Sequence, residues 1–290
     1  MSPIASVAIA FMSGVLVGVL VNLLADYLPA RYAYQDARRN PFSTTTPAPP
    51  RLFPRGPLFA WSGIVALFGL QMPYSAPRWG RRIAVEILMP VLFVGLTLRD
   101  MTNPDLPFLL CYAALFVLIA AIDIEYRWIL WDTLIPLIIV ALLEIVLTPR
   151  LNLERAVLGA ILAFVITGGL WLVGRVFGAF LSRRTGVGVG RTVFGSGDVY
   201  LATVGGLLVG WPEIGIGLLV MMISGGVAAA ALLIARRFTR GRDRRLGRRR
   251  PRFAAIPYGP HVLIGIAAML YFPIPMVRLM LDVLNALRGG

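Results

Sequence analysis

The chain has 290 residues, of which 58% are hydrophobic and only 14% charged, and its mean hydropathy is +0.79. That balance excludes a soluble globular enzyme, a disordered chain and a disulfide scaffold, and it points to a polytopic membrane protein. The net charge of +14 comes from 28 basic residues, all of them arginine, against 14 acidic ones. In so apolar a chain this excess fits cytoplasmic loops better than a nucleic-acid surface.

A spanning helix needs about 20 apolar residues. Ile4–Leu28 is the first such run. No basic stretch precedes it and no small-residue cleavage site follows, so it reads as a retained span and not a removed signal peptide. Residues 29–82 come next. They hold a Pro-, Ser- and Thr-rich linker at 40–56 and an apolar stretch, Pro57–Pro73, that is expected to lie at the interface or re-enter. Further spans follow at Ile83–Leu98, Leu106–Ile122, Thr133–Leu147, Ala156–Phe180, Ile214–Ala235 and about His261–Met280. Val199–Gly210 is apolar but short and glycine-rich; it crosses only if broken, tilted or sheltered by neighbours. The expected fold is all-α: a membrane helical bundle of about eight transmembrane helices. Its parts are a first helix at 1–29, a cytoplasmic loop at 30–82 and a membrane-embedded core at 83–290.

Eight crossings put loops 29–82, 123–132, 181–198 and 236–260 on one side. With Arg175, near the end of its span, they hold every arginine except Arg99, Arg150, Arg155, Arg278 and Arg288. This asymmetry sets those loops in the cytoplasm and the N-terminus outside. The arginine run at 236–252, broken by one acid, Asp243, reads first as a solvated loop touching anionic lipid. Guidance of an acidic partner ranks second. Nucleic-acid binding is not expected, because only Phe238 interleaves the cluster.

Ionisable groups in apolar spans are costly and so mark candidate sites. Those in or beside spans are Asp26, Glu86, Asp123, Glu125, Glu144 and Asp198. Two spans separate Asp123 from Asp198, so by parity both lie on one membrane face. Two partly desolvated carboxylates can share a proton: the ionised one activates water while the protonated one polarises a peptide carbonyl. Gly195 and Gly197, just before Asp198, would let the backbone turn sharply or a substrate strand approach. The bland alternative is that both aspartates cap helix ends. Glu86 reads as a local ion-pair partner of Arg81 and Arg82, one turn earlier. Glu144 sits within an apolar span, neutral or paired inside the bundle, and keeps a proton-linked transporter open as an alternative. The lone His261 can supply neither a metal cluster nor a convincing Ser–His pair. Cys111 is alone, so it forms no intramolecular disulfide, and it reads as a small buried hydrophobe. No metal site is expected.

These residues carry a resemblance. Residues 18–29 (GVLVNLLADYLP), 81–86 (RRIAVE), 123–129 (DIEYRWI), 195–201 (GSGDVYL) and 256–260 (IPYGP) occur in the order and setting of five motifs of the type IV prepilin leader peptidases. These are membrane aspartic proteases of the GxGD class. The resemblance implies that Asp123 and Asp198 are the catalytic pair, with Glu125, Gly195, Gly197 and Tyr200 tuning the site or contacting substrate. It implies cleavage, after a Gly, of a basic leader from type IV prepilin or pseudopilin precursors. The enzyme would sit in the bacterial inner membrane with its site facing the cytoplasm, and its partners would be those precursors and membrane lipids. Three features depart from the family pattern. The paired CxxC motifs of better-known members are absent, so the zinc they would bind is not expected. S-adenosylmethionine would enter only with a retained N-methyltransferase activity. Tyr200 stands where the family has Lys, leaving Arg191 or Arg127 as a substitute cation, and Trp131-Asp132 replaces the usual Pro-[Asp/Asn]. An inactive scaffold for pilus or secretion assembly is the further alternative.

Overall fold

The structure is a computed structural model that describes residues 2–39, 49–53, 62–64, 79–185, 195–245, 257–273, 276–278 and 280. Most of the described residues are helical, with no strand among them. The helices are α1 (Pro3–Arg39), α2 (Trp79–Arg99), α3 (Leu106–Tyr126), α4 (Trp131–Leu147), α5 (Leu153–Thr185), α6 (Ser196–Val209), α7 (Glu213–Arg245) and α8 (Gly259–Tyr271). They follow the expected apolar runs, so the polytopic helical bundle is borne out. Four regions, Pro3–Arg39, Leu106–Tyr126, Leu153–Phe180 and Glu213–Ala235, are each long and apolar enough to cross a membrane. Large apolar side chains stand exposed along them, among them Phe11, Leu16, Val165, Val173, Ile223 and Leu233. Such faces suit lipid and would aggregate in water. Cys111 also departs from expectation: it is exposed on α3.

Most of the linker 40–56 and of Pro57–Pro73 lies outside the described residues, as do Arg191 and the side chains of the arginine run 236–252. Helix α8 ends at Tyr271, short of the Met280 expected for its span.

The chain forms two compact units, Met1–Arg150 and Leu151–Gly290. In the first, α1 packs on α2 and α3, and α3 packs on α4. The α1–α2 crossing is close. A Cβ on Gly14 would lie 2.5 Å from the Cα of Pro90, and one on Gly18 would lie 3.2 Å from the Cα of Glu86. Gly14 and Gly18 are four residues apart and so share one helix face, where small residues let membrane helices approach.

A polar lock sits beside this crossing. Asn22 Nδ2 donates to the Arg82 carbonyl (3.0 Å) and to Glu86 Oε1 (3.2 Å). Glu86 also accepts from Ser62 Oγ (2.7 Å) and from the backbone N–H groups of Gly63 (2.8 Å) and Ile64 (3.0 Å). The carboxylate thus caps the helical start at residues 63–64, satisfying amides that have no intrahelical partner. Glu86 is therefore not the ion-pair partner of Arg81 and Arg82 that its local spacing predicts. Those arginines turn to Asp26 on α1.

At the opposite end of α4, Glu144 is only 1% exposed. Arg150 grips both of its oxygens, through Nε and Nη2 at 2.6 Å each, and Tyr112 Oη donates to it at 2.6 Å. The buried carboxylate is paired and hydrogen-bonded, as burial requires.

In the second unit, α6 packs between α5 and α8, and α7 packs on α8. Backbones approach closely here as well. A Cβ on Gly206 would meet the Gly159 carbonyl oxygen at 2.3 Å, and one on Gly265 would meet that of Gly217 at 2.2 Å. Arg155 Nη2 pairs with Glu213 (2.7 Å) while its Nε donates to the Trp211 carbonyl (2.8 Å), which ties the start of α5 to the turn before α7.

Gly14→Leu forces α1 from α2 and is expected to destabilise the protein by about 1–3 kcal/mol. A Cβ on Gly95 meets nothing within 4 Å, so Gly95→Leu is expected to leave stability unchanged. Thermal unfolding of the detergent-solubilised variants checks both; equal melting temperatures would remove the packing role of Gly14.

Candidate active site

Asp123 lies at the C-terminal end of α3, and its side chain is buried (4% exposed). The apolar run before it forms α3, with a proline in the first turn where its missing N–H has no cost. The helix stops at Arg127, which adopts a left-handed conformation (φ 58°) and donates its N–H to the Asp123 carbonyl at 2.8 Å. A non-glycine residue in this region is uncommon. The chain then runs irregularly to α4.

Glu125 lies two residues on, about 200° round the helix, and so projects away from Asp123. Its Oε2 accepts from Arg81 Nη1 at 3.3 Å, and Arg81 Nη2 donates to Asp26 at 2.7 Å. Arg82 binds the other oxygen of Asp26. One arginine therefore bridges carboxylates from α1 and α3, and α2 supplies both guanidinium groups. Asp132 sits exposed in the first turn of α4.

In the second unit, Asp198 is the third residue of α6 and is 8% exposed. Its Oδ2 accepts from the Gly195 N–H at 2.9 Å. Gly195 precedes the helix in an extended conformation (φ −84°, ψ 156°), which any residue can adopt. Gly197 lies inside α6, and Gly210 is the positive-φ glycine among the described residues. The glycines of the GSGD stretch are thus not required by a left-handed turn. What constrains Gly195 is proximity: a Cβ there would meet Asp198 Oδ2 at 3.2 Å, tighter than ordinary contact. Tyr200 is 42% exposed on α6. Two residues from Asp198, it leaves the helix on another face.

Tyr258 enters this neighbourhood without having been singled out from the sequence. Burial, then the charge of Asp198, raises its phenol above the ordinary tyrosine range, which puts it within electrostatic reach of that carboxylate. A Cβ on Gly225 would strike the Tyr258 ring at 2.7 Å, so glycine on α7 makes room for it. Its ring also meets that of His261 at 5.6 Å between centroids. The available signal was the Pro257-Tyr258-Gly259-Pro260 element, where a ring is fixed by flanking proline and glycine.

Among the described residues, no group of three or more His, Cys, Asp or Glu side chains is placed to hold a metal ion. The four-thiolate site of the paired CxxC motifs does not fit this chain, whose single Cys is Cys111.

Chemically, each unit presents one buried carboxylate at a helix end, beside neighbours that are already hydrogen-bonded. Residues 109–234, which include both Asp123 and Asp198, match the family model of the type IV leader peptidase family. No curated protein matches the chain, and no solved structure matches it. The resemblance read from the motifs is thereby borne out over 109–234, the stretch that holds the Asp123 and Asp198 motifs and matches that family's model.

Proposed function

We propose that this membrane protein is an aspartic endopeptidase that removes the basic leader from type IV prepilin-like precursors, cutting after a Gly at the cytoplasmic border of the bacterial inner membrane. The observation that carries this reading is the family match over 109–234, which contains both aspartates. Their burial at helix ends supports it. In this proposal the ionised member of the pair takes a proton from water as it attacks the scissile carbonyl. The protonated member donates to the carbonyl oxygen, and the proton gained from water passes to the departing amine. The pair titrates as a unit, so no proton is assigned to one residue. Two carboxylates and a water suffice, and the step uses no metal or organic cofactor. The precursor's own apolar helix lies in the bilayer, so a border site meets the bond where helix becomes loop.

Glu125 acts at a distance, through Arg81 and Asp26, which fix the polar end of α1 and α2 beside Asp123. Proton-linked transport would rest on Glu144, and that carboxylate is held by Arg150 and Tyr112. The scaffold reading differs in its dependence on the aspartates.

Co-expression with a tagged prepilin-like precursor tests the assignment. Wild type is expected to shorten the precursor to a new N-terminus following a Gly. Asp123→Asn and Asp198→Asn, at matched expression, are each expected to lose at least about a hundredfold in rate, the scale of a general acid–base group. Cleavage surviving in either variant would sink the mechanism. In the same assay Gly195→Ala is expected to slow turnover about tenfold, equivalent to about 1.4 kcal/mol of barrier, because its methyl group displaces the Asp198 carboxylate. An unchanged rate would show that the close contact at Gly195 has no part in catalysis.

A further inference from the structure

The helix α1 does not end with its apolar run. It continues for about three turns past Leu28, to Arg39. Along this extension Tyr27, Arg31, Tyr34 and Arg38 fall at intervals of four, three and four residues, and so form one stripe. Pro49 and Pro50 complete the lining of an open groove of about 550 Å³. Arg39 adds a third guanidinium at its flank. The Arg38 guanidinium lies over the Tyr34 ring, 5.8 Å from its centroid, which holds it toward the groove.

The groove is built for an anion. Its three arginines make no ion pair with a carboxylate among the described residues. Asp36, nine residues from Tyr27, is half a turn round the helix and faces away. Asp26, the nearest acid on the inner side, is already taken by Arg81 and Arg82. The location fits a lipid. Tyr27 adjoins Leu28 at the end of the apolar run, where amphipathic rings favour the interface. Arg31 to Arg38 spans about 10 Å along the axis, enough to cross the headgroup layer of about 5–7 Å beyond the hydrocarbon. Proline and tyrosine walls suit the glycerol and upper acyl carbons, and guanidinium groups pair with phosphate oxygens.

We propose that this groove is a binding site for the phosphodiester headgroup of an anionic phospholipid, which anchors the polar extension of α1 at the membrane surface. Tyr32 on the same extension packs edge-on against Trp128, at 5.6 Å between centroids, five residues after Asp123. A lipid held there therefore steadies the segment that follows the candidate catalytic residue. The binding site itself stands whether or not the protein is a peptidase.

The test is native mass spectrometry of the purified full-length protein released from nanodiscs that contain phosphatidylglycerol and phosphatidylcholine in equal amounts. Wild type is expected to retain phosphatidylglycerol selectively. Arg31→Gln/Arg38→Gln is expected to lower that retention about thirtyfold, since an arginine beside an anionic headgroup is worth about fivefold. Tyr34→Leu, which alters no charge, is expected to lower it as well. Arg175→Gln/Arg278→Gln, an equal loss of charge outside the groove, is expected to leave it unchanged. Equal retention in wild type and the groove variants would overturn the proposal, as would equal loss in the control. Millimolar inorganic phosphate that displaces the lipid completely would reassign the groove to free phosphate. An Asp- and Glu-rich peptide that binds the groove, with no lipid selectivity, would reassign it to an acidic protein segment. Cleavage activity is not read in this experiment, so its outcome is separate from that of the peptidase assignment.

Discussion

A carboxylate in an apolar phase must be neutral, paired or hydrogen-bonded, and that constraint orders the polar contacts of this protein. Three carboxylates meet it in three ways. Asp26 is clasped by two arginines from the next helix. Glu86 accepts from backbone amides at the start of a helical stretch, from a serine and from an asparagine on α1. Glu144 takes a two-point grip from Arg150 and a phenol from Tyr112. Each solution joins segments distant in sequence, so the cost of burying charge is turned into tertiary specificity. Removing one partner of such a pair is far more harmful than the pair is stabilising.

The same ordering surrounds the two candidate aspartates. Around Asp123, the potential competitors Asp26 and Glu125 are bound to Arg81, one on each side. Around Asp198, the Gly195 N–H holds one oxygen at the start of α6. Anions at a helix start are stabilised by its amides. The two aspartates thus sit in unlike settings: one at the negative end of a helix, the other at a positive end. The proposed mechanism asks for carboxylates in unlike settings, one able to hold a proton and the other not.

Composition and apolar run length were enough to read the helices, because in lipid a backbone has few other ways to satisfy its hydrogen bonds. The same reading singled out Asp123 and Asp198 as acids at span ends, and both are buried at helix ends within the stretch that matches the family model. It failed where partners are far apart in sequence. Glu86 lies one turn from Arg81 and Arg82, so local spacing favoured an ion pair; its real partners, Asn22 and residues 62–64, cannot be inferred from a single helix. The roles of Gly14, Gly18 and Gly206 were hidden for the same reason, since close approach is a property of two helices. Gly195 was expected to allow a sharp turn or the approach of a substrate strand; its backbone is ordinary extended chain, and the constraint on it is the nearness of Asp198, which spacing in sequence does not reveal. Tyr258 was legible only as part of a motif, because its influence depends on how α6, α7 and the start of α8 pack. Glu144 was expected to be neutral or paired inside the bundle, and it is paired; its partner Arg150 could not be named because it lies past the end of the helix.

The shortness of α6 now has a physical sense. Its 14 residues rise about 21 Å, against a hydrocarbon core of about 30 Å. Both ends cannot reach water together, so at least one polar terminus is left at a depth where lipid alone would not tolerate it. Close contacts at Gly205 and Gly206 seat the C-terminal half of the helix against α8 and α5, so protein covers that end. Non-helical backbone at such depth is tolerated only under that shelter. At its other end Asp198 is 8% exposed and accepts from the Gly195 N–H, so the carboxylate too is sheltered by protein. A helix this short is held in an apolar bundle by its neighbours, and the glycines of its C-terminal half are what let those neighbours come close enough to hold it.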